Sequence, residues 1–372
     1  MKNSIISIRN KVERFCYVNI LRPIFFAFDP EDIHNLMTRV GIFLGKYNIT
    51  RKVTSLLFSC SNPMLEQEIL GVKFKNPIGL AAGFDKGALL VDILPSVGFG
   101  FMEVGSITGE PCEGNDRPRM WRLKNSSALV VNYGLKNDGC KKISKRLSLK
   151  NFEIPLGTSI AKTNSEDTCE VKSGIDDYVK AFRYFSRIGH YFTINISCPN
   201  AFGGEPFTDP HKLDRLLSSI DEIKTHKPIF LKISPDLSEK QVADILAVCD
   251  KHHVDGFICS NLTKNRNNSK IYDENIPAKG GISGKVVSDL SDSQIRFIRQ
   301  RTGEKYTIIG CGGVFSAEDA YSKIKAGASL IQLITGMIFE GPQLIGDINL
   351  GLVTLLKKDG FKNIKEACGS ER

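Results

Sequence analysis

Tyr191-Phe-Thr-Ile-Asn-Ile-Ser-Cys-Pro-Asn200 is an apolar run that ends abruptly in a polar loop. A short run of this kind, closed by a proline that bends the chain, reads as a buried strand emptying into a fixed turn. Seven other runs repeat the pattern: Pro77–Ala81, Phe101–Gly105, Pro155–Ile160, Pro228–Ile233, Asp255–Ser260, Tyr306–Cys311 and Ala328–Ile334. Most are continuously apolar, as strands covered on both faces are. Helical stretches lie between them. One opens with a capping box, Ser238-Glu-Lys-Gln241, and continues with Val242, Ile245, Leu246 and Cys249 at helical spacing. Eight β–α units in succession predict an α/β fold, a (β/α)8 TIM barrel. A doubly wound sheet is the alternative, but it seldom needs so many alternations.

The chain has 372 residues, and a barrel alone uses roughly 250. Ordinary hydrophobic and charged fractions allow a large core. Ten cysteines show neither C-x-x-C pairs nor zinc spacing, which points to a reducing compartment and to no structural metal. No signal-peptide core and no apolar stretch of about 18 residues is present, so neither secretion nor a membrane span is expected. The sequence carries no signal for an oligomeric state.

Charge is unevenly placed. Residues 1–62 hold nine of the Lys and Arg residues against four acids, a surplus of five out of a net +9. Phe15, Tyr17, Ile20, Leu21, Ile24, Phe25, Phe26 and Phe28 are interleaved with them. That mixture suits an anionic membrane surface rather than nucleic acid, which wants a polar basic groove; a solvated helical cap is the plainer reading. In Pro30–Gly45, Ile33, Leu36, Met37, Val40, Phe43 and Leu44 share one helical face, with acids in the first turn. A shorter helix is expected before Pro23. The expected division is thus residues 1–62, a small N-terminal helical membrane-associating extension, and residues 63–372, the barrel. Two long connections, 106–154 and 262–280, are where a barrel keeps lids and substrate contacts.

Strand ends carry the candidate chemistry. Ile309-Gly-Cys-Gly-Gly-Val-Phe-Ser316 after the seventh strand and Thr335-Gly336 after the eighth form a phosphate-site pattern, with Gly312 and Gly313 letting backbone N–H groups approach closely. Gly284 offers another close approach. Lys232 lies inside Phe230-Leu-Lys-Ile-Ser234 and needs an anion there, because unpaired burial would cost several kcal/mol. A reduced flavin provides one; an ion pair within the barrel is the structural alternative. Ala81, Ala82 and Gly83 leave room for a planar ligand, and Lys86 offers a cation to a substrate carboxylate. Asn195, Asn200 and Asn261 can match alternating C=O and N–H groups on a ring. Cys198 can move a proton, although a free cysteine is more often inert core.

Asn76-Pro-Ile-Gly-Leu-Ala-Ala-Gly-Phe-Asp-Lys86, Gly114-Asn-Asp-Arg-Pro-Arg119, Asn195-Ile-Ser-Cys-Pro-Asn200, Lys232-Ile-Ser-Pro-Asp-Leu-Ser238 and the phosphate segments resemble dihydroorotate dehydrogenases, in order from about residue 20 to residue 345. Arg22-Pro-Ile-Phe-Phe-Ala-Phe-Asp-Pro-Glu31 with His34 is similar to the extension of the quinone-linked, membrane-associated branch. The resemblance implies FMN-dependent oxidation of dihydroorotate to orotate in pyrimidine biosynthesis, with electrons passed to a quinone at the cytoplasmic face of a membrane. It implies FMN contacts at Ala81, Ala82, Ser106, Ser159, Asn195, Lys232, Ser260, Gly284, Gly313, Thr335 and Gly336. It implies substrate contacts at Lys86, Asn195, Asn200 and Asn261, and a proton-abstracting Cys198 whose anion Lys86 would favour. Departures accompany the match: Cys198 stands where the quinone branch has Ser, Ser159 where it has Asn, and Ile334 where it has Tyr. Val131 falls on a substrate-binding Asn, so Asn132 has to reach over or that contact is lost. Two rival readings remain: a flavin reductase of another dihydropyrimidine, similar to the tRNA-dihydrouridine synthases but without their basic C-terminal domain, and a membrane-associated flavoprotein that binds without turnover.

Overall fold

The computed structural model describes residues 2–371. Thirteen strands run in chain order: β1 (Gln67–Ile69), β2 (Val72–Phe74), β3 (Ile78–Leu80), β4 (Phe101–Ile107), β5 (Met120–Leu123), β6 (Ala128–Val131), β7 (Leu156–Ile160), β8 (Tyr191–Asn195), β9 (Ile229–Ile233), β10 (Gly256–Cys259), β11 (Gly281–Gly284), β12 (Thr307–Cys311) and β13 (Leu330–Leu333). Eight of these close a barrel in the order β3-β4-β7-β8-β9-β10-β12-β13, every pairing parallel. All eight expected runs are barrel strands. Their residues are buried on both faces, which explains why they read as unbroken apolar runs instead of alternating ones.

Inside the barrel, aromatic rings fill the end away from the site. Phe74, brought in by the β1–β2 hairpin, meets Phe101 edge to face at 5.4 Å, and Tyr191 meets Phe230 at 5.4 Å. Above them lies a polar layer. The buried Glu103 carboxylate accepts from Tyr191 Oη at 3.2 Å, Thr193 Oγ1 at 3.0 Å and Gln332 Nε2 at 2.9 Å. Outside, helices cover the barrel; the capping box at Ser238 forms as expected, with both reciprocal hydrogen bonds.

The first long connection folds into structure the sequence reading missed, and the second leads into more of it. β5 and β6 form a hairpin within 106–154, and β11, just after 262–280, adds to it as a three-stranded antiparallel sheet beside the barrel mouth. The segment that carries Gly284 therefore reaches the site as an edge of this small sheet.

The N-terminal helices are Lys2–Cys16, Arg22–Ala27, Pro30–Lys46 and Asn48–Phe58. A helix precedes Pro23, as expected, and helical backbone continues through the proline. A wide π-helical turn at Tyr17–Leu21 precedes the proline, which then sits in the first turn of its segment, where its missing N–H costs little. Asp29 caps the Pro30 helix by accepting from the Glu31 and Asp32 N–H groups.

These helices dock through polar groups. Asn10 Nδ2 donates to Asp347 at 2.7 Å, Arg14 pairs with Glu340 at 2.6 Å, and Tyr17 Oη donates to the Ile338 carbonyl at 2.7 Å. Glu31 accepts both bonds of a bidentate pair from Arg119, at 2.8 and 3.0 Å, with each side chain only 6% exposed. Many of their apolar residues are left exposed. Among the described residues, eighteen of the 24 exposed large hydrophobic side chains lie between Ile5 and Leu57.

Candidate active site

A single cavity of about 590 Å³ begins among the N-terminal helices and ends over the barrel mouth. That volume lies in the range of small-molecule and cofactor sites. Its outer part is apolar, with Leu21, Phe25, Ile33, Met37, Val40 and Phe58 among its lining residues. Its inner part gathers the strand ends. Ala81, Ala82, Gly83 and Lys86 follow β3, Ser106 lies near the end of β4, Asn195 is the last residue of β8, and Cys198 and Asn200 follow it. Lys232 comes from β9, Ser260 and Asn261 follow β10, and Gly312, Gly313, Thr335 and Gly336 follow β12 and β13; Gly284 closes the side. Sixteen of the eighteen residues singled out from the sequence thus share one cavity. Ser159 and Asn132 are not among the lining residues.

Ser159 is fully buried behind the lining, where its hydroxyl lies 2.8 Å from Ser106 Oγ. Asn132 turns away. Its side chain and its carbonyl each accept from Asn115 at 3.2 Å, and Val131 takes the lining position instead. The sequence reading missed Asn115 and its partner Asn164. Asn115 also donates to the Asn200 carbonyl at 3.2 Å, and Asn164 donates to Asn115 at 3.0 Å and accepts from Phe202 N at 2.7 Å. These amides brace the loop after β8 from outside. Nothing in their sequence spacing announces it.

The amides facing the cavity are oriented by the chain itself. Asn195 donates to Ser106 Oγ at 2.8 Å and accepts from Ser197 N and Oγ at 3.1 and 2.9 Å. Asn261 donates to the Ser197 carbonyl at 2.7 Å, and Asn200 to the Val131 carbonyl at 2.8 Å. Lys232 and Ser260 differ. Both are buried, the Ser260 hydroxyl has no hydrogen-bond partner, and Glu103 supplies the charge that Lys232 feels within the barrel. Burial holds the Glu103 carboxyl above its ordinary range despite the nearby Lys232 ammonium.

The turns after β12 and β13 need glycine. Gly313 has φ +73°, and an added Cβ would stand 2.6 Å from the Ser288 backbone. At Gly336 it would stand 2.0 Å from the Val314 carbonyl. Only hydrogen fits where these loops close on each other.

Lys86 is not the charge beside the thiol. Its ammonium lies 3.5 Å from His34 Nε2, donates to the Gly83 carbonyl at 3.2 Å and stands 4.0 Å over the Tyr133 ring. Burial pushes it down to about 8, with Glu31 and Asp85 partly offsetting. Burial, with the Lys86 charge adding to it, holds His34 neutral, down to about 3. The Cys198 thiol is pushed up to about 11 by burial and by Glu205, against the Asn200 N–H and the Lys162 and Lys264 charges. The expectation that Lys86 would favour the thiolate is therefore corrected: those two lysines take that part.

The comparisons with known proteins agree on one family. The family model described as dihydroorotate dehydrogenase matches residues 64–356. A curated dihydroorotate dehydrogenase (quinone) from Christiangramia forsetii is 40% identical over 340 residues, covering 90% of this chain and 97% of that protein. One of the same name from Haloarcula marismortui is 37% identical over 355 residues, covering 95% and 99%. Among solved structures, ligand-free DHODH from Eimeria tenella superposes with a TM-score of 0.82 at 28% identity, covering 92% of this chain and 99% of that one. With its parallel barrel, its strand-end cluster and these relatives, the chain belongs to the dihydroorotate dehydrogenase family.

Proposed function

We propose that this chain oxidises dihydroorotate to orotate with bound FMN and passes the electrons to a quinone, a step of pyrimidine biosynthesis. The observation that carries the reading is the one cavity whose inner end is polar and whose outer end is apolar. A small polar ring suits the first, and a lipid-soluble acceptor the second.

The residues present fit FMN. The buried Lys232 ammonium and the unpartnered Ser260 hydroxyl await an acceptor, Ala81 and Ala82 leave a flat wall, and the turns at Gly312, Gly313 and Gly336 line the cavity, where backbone N–H groups suit a phosphate. When bound, FMN supplies a two-electron acceptor that also yields its electrons to a quinone. Lys232 would hold its polar edge, with Asn195, Ser106, Thr335 and Gly284 around it.

For the substrate, Lys86 supplies the charge for the carboxylate, and Asn195, Asn200 and Asn261 offer amides for the ring. Asn132 does not reach the cavity, so the Val131 position contributes an apolar contact. Cys198, as thiolate, takes the C5 proton. Because its thiol is pushed up to about 11, the thiolate is a minor species near neutrality and the proton step should quicken as pH rises.

We assign residues 1–62 to quinone access and to contact with an anionic membrane surface. Among the described residues no helix is long and apolar enough to cross a membrane. The outward Ile5, Ile8, Val12 and Phe15 on a helix docked by its polar groups favour a peripheral association, at the cytoplasmic face. Steady-state oxidation of dihydroorotate by a short-chain quinone, with and without anionic vesicles, tests this function. Turnover that vesicles stimulate is expected. No quinone reduction in either condition would refute it.

A further inference from the structure

The polar layer inside the barrel has no part in the chemistry above. Its centre is Glu103, fully buried on β4; the cavity lining includes Lys232 and Cys311 but not Glu103. Three donors converge on one carboxylate oxygen: Tyr191 and Thr193 from β8 and Gln332 from β13. Among the described residues neither hydroxyl has another partner, so both give their protons to Glu103, as suits an anion. Gly157, paired with Glu103 on one side and Tyr191 on the other, makes the room: a Cβ there would stand 2.5 Å from Tyr191 Oη. The other carboxylate oxygen, Oε1, is buried with no hydrogen-bond partner, as is Gln332 Oε1. Burial opposes the Glu103 anion, the Lys232 ammonium favours it most, and Cys311 feels both charges. A buried carboxylate with a bare oxygen is costly unless its charge serves something close by.

We infer that Glu103 is a positioning residue acting through Lys232: its carboxylate offsets part of the ammonium charge from within the barrel and so restrains the tendency of the bound flavin to accept electrons. The inference rests on the proposed FMN site. In the oxidation, the substrate C5–H bond breaks and its proton goes to Cys198, while the C6–H bond breaks and leaves as hydride. The acceptor thus gains two electrons and one proton, hence one net negative charge, and Lys232 faces that charge. A carboxylate behind the ammonium weakens its field, because charges couple strongly in a low-dielectric interior. Taking the carboxylate away leaves Lys232 uncompensated and favours the reduced flavin. An acceptor restrained in this way yields its electrons more readily, so the quinone step gains what the first step gives up. The titratable groups that act on Glu103 are Lys232 on β9, Tyr191 on β8 and Cys311 on β12, and of these Lys232 alone brings a positive charge.

The test measures the midpoint potential of the flavin in the FMN-loaded full chain, by anaerobic equilibration with a reference dye at neutral pH. Glu103→Gln keeps an acceptor for the donors and loses the charge; Glu103→Asp keeps the charge on a shorter arm. The expected result in Glu103→Gln is a shift of about tenfold toward the reduced flavin, about 30 mV upward for a two-electron couple. In Glu103→Asp less than half of that shift is expected. An unchanged potential in Glu103→Gln overturns the inference. So does an equal shift in Glu103→Asp, which would make the shape of the side chain responsible instead of its charge. Should Glu103→Gln fail to fold, Glu103→Met removes the same charge with an unbranched apolar chain and is held to the same shift. Wild-type protein that takes up no FMN overturns the proposed function and this inference together. Wild-type protein that loads FMN at a potential the charge-removing variant leaves unmoved overturns the inference alone.

Discussion

At the barrel mouth, Lys232, Asn195 and Ser260 are polar groups kept out of water; in the N-terminal helices, Ile5, Ile8, Phe15 and Leu56 are apolar groups kept in it. Each region inverts the usual rule, and each inversion marks a different task. Buried polar groups at strand ends are held rigidly by the barrel and await a polar ligand. Exposed apolar groups on helices docked by Asn10, Arg14, Tyr17 and Glu31 suit the membrane contact proposed above. The shared cavity joins the two, so chemistry at one end and electron delivery at the other should be separable by mutation.

The sharpest break comes from removing one region. Deletion of residues 1–62 is expected to abolish quinone reduction while dihydroorotate still reduces the flavin; loss of both would mean that the helices build the inner site too. Next in size, Cys198→Ala should slow flavin reduction by about 10²–10⁴-fold, the usual worth of a general base, with the outer region unaffected. Rapid-mixing absorbance measures it, and an undiminished rate removes the thiol from the proton step.

The joint between the regions comes third. Although burial alone would raise it, Arg119 and Arg117 hold the Glu31 carboxyl below its ordinary range. Its contribution is therefore complete above the ordinary carboxylate pKa and is lost as pH falls through the depressed one. Glu31→Gln leaves Arg119 without its charged partner, which should cost about 3–5 kcal/mol of docking at neutral pH. Urea titration with tryptic cleavage of the helices as readout measures it, and unchanged cleavage would place the joint elsewhere.

A smaller effect separates binding from proton transfer. Lys86 is pushed down to about 8, so KM for dihydroorotate should rise as pH climbs through that value, while the proton step accelerates. KM independent of pH between 7 and 10 would remove Lys86 from the carboxylate.

The smallest concerns the first helix. Glu13, with both carboxylate oxygens buried and unbonded, is pushed up to about 7 by burial, with Arg9 opposing and Asp347 adding. A raised carboxyl destabilises docking as pH rises from the unfolded value of 4.5 to about 7, with the full penalty above that. Glu13→Gln should accordingly slow tryptic cleavage at Lys11 and Arg14 at pH 8 and change little at pH 4.5.

The barrel was legible because parallel strands buried on both faces leave unbroken apolar runs, and because Ser238-Glu-Lys-Gln241 marks a helix start locally. The inner site was legible because Lys232 breaks such a run and glycines cluster after β12 and β13. The β5–β6–β11 sheet was not. Its strands, of four residues each, are set by a pairing between β6 and β11, more than a hundred residues apart in the chain. Asn132 was misjudged because the β6 register decides which neighbour faces the cavity, and a one-residue step flips it. Lys86 was given to Cys198 by order of motifs, whereas the fold sends it toward His34 and Tyr133. Lys162 carried no local signal; it follows β7, and the parallel β7–β8 pairing with the loop after β8 brings it near the thiol.

Anaerobic titration of the purified protein with dihydroorotate, followed by flavin absorbance, tests the central claim most directly. Stoichiometric bleaching, reversed by adding a quinone, is the predicted result. A protein that binds no FMN, or a bound flavin that dihydroorotate leaves oxidised, would contradict the account.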